Sequence, residues 1–145
     1  MATWTLYDKF KEGQFDATAI NLESGAATIK IALVSSLYTP DAAHDYFNDI
    51  TNEVSGTNYT AGGNSCALPI VSLTAGVVSF STSSPAIWAQ SATGFSNARR
   101  AILYQDTGVA ATSKLIAYSA AFAADRDNVS QGFQITLGAT IFTAT

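Results

Sequence analysis

Apolar and polar positions alternate in short runs along this chain, and turn residues break the runs every few positions. The clearest run is Ala27-Thr28-Ile29-Lys30-Ile31-Ala32-Leu33-Val34. It sets Ile29, Ile31 and Leu33 on one face and Lys30 on the other, the period-two signature of a half-buried strand. Further strands are predicted from Leu68 to Leu73 and from Val77 to Phe80, joined across Thr74-Ala75-Gly76 as a hairpin. Ile87-Trp88-Ala89 gives a short strand after Pro85. Arg99 to Tyr104 is stopped by Gln105-Asp106-Thr107-Gly108, and Lys114 to Tyr118 pairs with it across that turn. Asp125-Arg126-Asp127-Asn128 reads as a polar turn, after which Gln131 to Leu137 and Ala139 to Thr143 close the series. Two segments carry a helical signal: Tyr7 to Glu12, ended by Gly13, and Asp41 to Val54, beginning after Pro40 and closing before Gly56. Strands at this spacing predict an all-β fold over residues 1–145, a single-domain β-sandwich or jelly-roll-like barrel with one or two short helices.

Composition changes the picture in one respect. Hydrophobic residues make up 48% of the chain but charged ones only 12%, and 25 Ala, 17 Thr and 15 Ser dominate. Coiled coils need Glu, Lys and Leu in heptads, and disordered tails need high net charge, so neither fits. From Val54 to Ala98 there is no charge at all, yet Gly, Asn, Pro and Ser interrupt that stretch too often for a membrane span. The surface is therefore expected to be polar through Thr, Ser and Asn. Such a surface repels other protein weakly, so self-association and a homo-oligomer are expected.

Charge sign narrows the partners. Net charge is −4, the pI is about 4.6, and no Lys or Arg lies between Lys30 and Arg99, so a nucleic-acid partner is not expected. The opening Met1-Ala2-Thr3-Trp4-Thr5-Leu6-Tyr7 lacks the basic and apolar regions of a signal peptide. The single cysteine, Cys66, suits a reducing compartment and reads as a small buried hydrophobe. Folding in a reducing cytoplasm and no membrane association are the expectations.

Candidate chemistry is sparse. His44 is the only histidine, so any imidazole base or metal site must use it. No Gly-x-Ser-x-Gly elbow or phosphate-binding loop accompanies it, and Thr60-Ala61-Gly62-Gly63-Asn64 reads as a glycine turn. Asp106 with Asp125 or Asp127 would make a carboxylate pair of the glycosidase kind, but turns favour Asp for backbone reasons. Asp41, Asp45, Asp49 and Glu53 recur every four residues, which on a helix stacks four carboxylates along one face. That stripe reads as a solvated face, as a docking surface for a basic partner, or as oxygen ligands for Ca²⁺. Arg99 and Arg100 would point to opposite faces of a strand, one pairing with a carboxylate and one solvated or bridging a turn. No catalytic residue, cofactor or metal is assigned.

Several stretches in order also carry a resemblance. Trp4-Thr5-Leu6-Tyr7-Asp8-Lys9-Phe10 leads to Ile29-Lys30-Ile31-Ala32-Leu33-Val34-Ser35-Ser36-Leu37-Tyr38-Thr39-Pro40 and then to Ala43-His44-Asp45. Tyr59-Thr60-Ala61-Gly62-Gly63, a strand with Trp88, and Ala101-Ile102-Leu103-Tyr104 before an Asp-Thr turn complete the pattern. Together these resemble a family of small, all-β virion proteins of tailed bacteriophages. The resemblance implies a structural protein without catalysis, foremost a capsid cement or decoration protein on the outer shell that bridges major capsid protein subunits. Trp4 is then the expected N-terminal anchor, and Asp41, Asp45, Asp49 and Glu53 the match to a basic capsid surface. The alternatives are a tail, neck or fibre component, including a receptor- or glycan-binding module, and, further off, an envelope-acting enzyme using His44 or an acid pair.

Overall fold

The computed structural model describes residues 3–17, 19–22, 28–66, 69–137 and 142–144. Among them run, in order, β1 (Trp4–Leu6), α1 (Asp8–Gly13), β2 (Thr28–Val34), β3 (Asn64–Cys66), β4 (Pro69–Thr74), β5 (Val77–Thr82) and β6 (Ala86–Trp88). There follow β7 (Arg100–Asp106), β8 (Leu115–Ser119), β9 (Phe133–Ile135) and β10 (Phe142–Ala144), with 3₁₀ turns at Phe47–Asp49 and Ala110–Thr112. The fold is mainly β, with sheets and a few short helical turns, as a β-sandwich requires. The predicted strand residues Ala27, Leu68 and those from Ala139 to Ile141 lie outside the described residues.

β2 is the organising strand because its β-branched and apolar residues suit a pleated surface that is buried on both sides. It pairs antiparallel with β7 along its full length, from Thr28 opposite Asp106 to Val34 opposite Arg100. The five-stranded sheet has the order β1-β8-β7-β2-β3, and β10-β5-β4 and β6-β9 form a second and a third. Ile29, Ile31, Leu33, Ile102, Leu103, Leu115 and Ile116 fill the centre, with Trp88, Phe80 and Phe95 brought in from elsewhere in the chain. Lys30, the polar interruption of β2, places Nζ 2.6 Å from Asp106 Oδ2. The β7–β8 connection is fixed by side chains: Gly108 N donates to Asp106 Oδ1 at 2.9 Å and Thr107 N to Ser113 Oγ at 3.0 Å.

The β4–β5 hairpin turns through Ala75 and Gly76, whose φ of +51° and +81° are the left-handed values that a two-residue hairpin loop of matching twist demands. Its register puts Val71, Leu73, Val78 and Phe80 on one face. Ile70, Ser72, Ser79 and Ser81 occupy the other.

One expectation is overturned. Asp41 to Val54 is not a helix; only Phe47–Asp49 makes a single 3₁₀ turn. Short acidic side chains take the local amides, as Ala43 N donates to Asp41 Oδ1 and both Asp45 N and Tyr46 N donate to Asp49 Oδ2. Neighbouring segments take others: Leu115 N donates to Asp45 O, Val54 N to Leu33 O and Ser35 N to Asn52 O. With those groups engaged outside the segment, the i to i−4 ladder cannot form.

Candidate functional site

The side chains singled out by sequence fall into two internal braces. In the first, Tyr7, at the entry to α1, shares a 3.1 Å hydrogen bond with Tyr38 OH, which in turn lies 3.1 Å from His44 Nδ1. Burial raises the Tyr7 and Tyr38 phenols above their ordinary value, so both stay neutral. His44 therefore ends a tyrosine chain that ties α1 to the segment after β2. Among the described residues Tyr38 is its hydrogen-bond partner, and no serine–histidine–aspartate array is assembled.

The second brace is built on Glu53. Its Oε1 accepts Tyr59 OH and Gly62 N, each at 2.6 Å. Tyr59 OH accepts Leu33 N at 2.9 Å, and Tyr104 OH donates to Gly62 O at 2.7 Å. The glycine turn is thereby pressed onto β2. Gly63 has φ +74°, and a Cβ there would fall 1.8 Å from Ile31 O, so only glycine fits. Tyr59 also stacks with Trp88 at 6.2 Å, and Trp88, Phe95 and Phe133 continue the aromatic cluster.

The four carboxylates do not form a stripe on a helix. Asp41 is exposed and closes an Asx turn, while Asp45 is half-buried beside its strand bridge. Asp49 is held below the usual carboxylate range by the amides of Asp45 and Tyr46, and Glu53 is the brace just described. Trp4 is half-buried in β1, where it pairs with Ser119. Among the described residues no three His, Cys, Asp or Glu side chains are placed to hold a metal ion. Cys66 is buried, and burial pushes its thiol up to about 12, away from nucleophilic use. Asp106 is held low by Lys30, Asp125 pairs with Arg99 at 3.3 Å, and Asp127 accepts Val129 N at 2.9 Å. Arg100, on the other face, reaches Ser119 O at 3.1 Å. Each of these acids thus has a structural partner.

Two surface concavities stand out among the described residues. One, of about 460 Å³, is apolar and runs between α1 and the β4–β5 hairpin, lined by Leu6, Phe10, Phe15, Val71, Val78 and Phe80. The other, of about 550 Å³, combines Phe122 and Phe133 with Asp125, Arg126, Gln131 and Gln134. Sequence reading did not single out the first as a surface. Its signal was an alternating hairpin whose apolar side met no identified cover.

No family model, curated protein or solved structure matches this chain. Among the described residues no helix is long and apolar enough to cross a membrane.

Proposed function

We propose that this chain is a tailed-bacteriophage virion protein, a capsid cement that sits on the outer shell and bridges neighbouring major capsid protein subunits. One observation carries the reading: the residues of the sequence resemblance are the ones that lock this fold. Tyr7, Tyr38 and His44 form one brace, and Tyr59, Gly62, Leu33 and Tyr104 meet in the other, with Trp88 stacked beside them. These residues come from every stretch of the resemblance and fall into two clusters. The shared pattern is thus one of architecture, which is what a structural family would have in common.

The surface supports the same reading. It has little charge, and Phe15, Leu37, Leu73, Ile87 and Val109 are exposed on it, as suits a protein that works against other protein. A cement copy would add buried area across subunit junctions where internal pressure pulls the shell apart, and several junctions held at once would add avidity. Of the anchors expected from sequence, Asp41 and Asp45 lie outside both braces and Trp4 is only partly buried against the core, which favours these three over Asp49 and Glu53 as capsid contacts.

The second groove favours a second reading. Aromatic faces beside carboxylate, guanidinium and amide groups are a sugar-binding composition, as a tail or fibre module would use. Copy number separates the two. Densitometry of purified virions should give a near-stoichiometric ratio to the major capsid protein for cement. A ratio of a few copies per particle would replace cement with the tail or fibre reading, and absence from the particle would overturn both.

A further inference from the structure

β4 is an outer strand of its sheet, with no strand on its far side among the described residues. Natural edge strands are usually blunted by lysine, proline, a bulge or a covering segment, and β4 has such a residue at its first position alone, Pro69. Here the chain from Val54 to Ala98 carries no charge of either sign, and β4 pairs with β5 without a register shift.

The hairpin fixes which backbone groups face outward. With Ala75 and Gly76 as a two-residue loop, Thr74 and Val77 are the hydrogen-bonded pair, and the alternation carries through Ser72–Ser79 and Ile70–Ser81. The N–H and C=O groups of Val71 and Leu73 therefore point away from β5. Their side chains lie on the apolar face, with Leu73 71% exposed and Phe15, across the groove, 93% exposed.

We propose that two copies pair β4 to β4, antiparallel, about a two-fold axis through Ser72. In that register the Val71 of each copy meets the Leu73 of the other in a hydrogen-bonded pair, so the four outward N–H and C=O groups of Val71 and Leu73 on each strand are satisfied. The neighbouring registers are worse. A shift of one residue puts apolar side chains opposite the polar face. Centring on Val71 would bring Pro69, which has no N–H, into a hydrogen-bonded position opposite Leu73. Centring on Leu73 runs Val71 against the turn at Ala75. The Ser72 register also makes the apolar face continuous, with the second copy's Leu73 beside Val71 at the mouth of the groove.

The area is of the right order. Phe15, Val71, Leu73 and Val78 together expose roughly 500 Å². The strand edge with Ile70, Ser72 and Thr74 brings this toward the ~800 Å² per partner of a standard interface. The contact is isologous, and β4 itself carries no charge to repel its copy across the axis. This pairing stands apart from the capsid reading, since it uses neither the resemblance nor Trp4 and the acidic residues.

The test combines sedimentation of the full chain over a wide concentration range with cysteine crosslinking. The chain should sediment at twice its own mass, and Leu73→Lys, at an exposed position the monomer tolerates, should weaken association at least tenfold. Ser72→Cys should form an intermolecular disulfide readily on mild oxidation, because residue 72 faces itself across the axis. Thr74→Cys should not, since four residues of offset separate the two thiols by about 13 Å. The wild-type chain, with Cys66 buried, is the background control. A monomer at every concentration overturns the proposal. So does an odd-numbered oligomer, a dimer indifferent to Leu73→Lys, or crosslinking of Thr74→Cys in preference to Ser72→Cys. Virion stoichiometry is unaffected by any of these outcomes, so the two proposals fail separately.

Discussion

Glu53 illustrates how a charged side chain on a sparsely charged protein becomes part of its frame. One carboxylate oxygen, half-buried, accepts both the Tyr59 hydroxyl and the Gly62 amide at 2.6 Å. Hydrogen bonds to an ionised acceptor are shorter and stronger than neutral ones. Removing the acceptor leaves a partly buried hydroxyl and a turn amide without it, and deletions of that kind cost more than the bond itself contributes. Glu53→Ala should therefore destabilise the protein by about 2–3 kcal/mol. Glu53→Gln keeps the oxygen in place, loses only the charge assistance, and should cost about 1 kcal/mol. Urea unfolding of the three proteins checks the order, and an alanine variant as stable as wild type would remove Glu53 from the frame. The four-residue spacing of Asp41, Asp45, Asp49 and Glu53 could not reveal this. The spacing is compatible with a helical face, whereas the actual roles depend on amides that arrive from Gly62, Asp45 and Tyr46 only after folding.

At the scale of elements, what was legible depended on length. β2, β4, β5, β7 and β8 each run five residues or more, long enough for alternation to show, and all were predicted within a residue or two. β1 and β3 are three residues each and exist because β8 and β2 offer them an edge, so nothing in their own residues announces them. The Asp41–Val54 helix failed for a related reason: periodicity scored the side chains, but side-chain caps and the bridges from Val34 to Glu53 and Tyr46 to Lys114 decided the backbone. The β4–β5 turn was predicted at its right place, and it carries a correctable imperfection. Ala75 holds φ +51°, a conformation that costs an alanine roughly 1 kcal/mol or more and that asparagine tolerates better. Among the described residues the other non-glycine positions with positive φ, Asn52, Asn58 and Asn97, are all asparagine. Ala75→Asn should therefore stabilise the protein by about 0.5–1 kcal/mol, seen as a higher denaturant midpoint at unchanged m-value. An unchanged midpoint would mean that the hairpin opens separately from the rest. The apolar hairpin face was legible as a face, but alternation does not say whether anything covers it. That is why the candidate docking edge came from the structure.

The whole molecule is bounded in pH by two different sets of groups. On the acid side, Asp49 and Asp106 sit below the ordinary carboxylate value of 3.8, Asp49 through the Asp45 and Tyr46 amides and Asp106 chiefly through Lys30. A depressed folded-state value means that their contribution is full above about pH 3.8 and is lost as pH falls through the lowered values. Asp49→Asn with Asp106→Asn should flatten that decline in chemical unfolding between pH 5 and pH 2, at a cost in stability at neutral pH. On the alkaline side, Tyr7, Tyr38, Tyr59 and Tyr104 are all raised above 10.0, each primarily by burial. A phenol buried as the neutral form contributes nothing pH-dependent below 10. Above 10 the unfolded chain releases protons that the folded chain retains, so stability falls as pH rises. Each such proton is worth about 1.4 kcal/mol per pH unit, so four set an upper limit of about 5.6 kcal/mol per unit. A small domain has about 5–15 kcal/mol in all, so the fold should be lost within roughly one to three units above pH 10. Two probes follow the transition together: phenolate absorbance and the far-ultraviolet circular dichroism of the sheets. These four tyrosines should ionise in one cooperative step coincident with loss of the β signal. Phenolate absorbance rising to its full value while the sheets remain intact would show that the Tyr7–Tyr38–His44 and Glu53–Tyr59 braces open without unfolding, and that the frame is looser than its hydrogen bonds require.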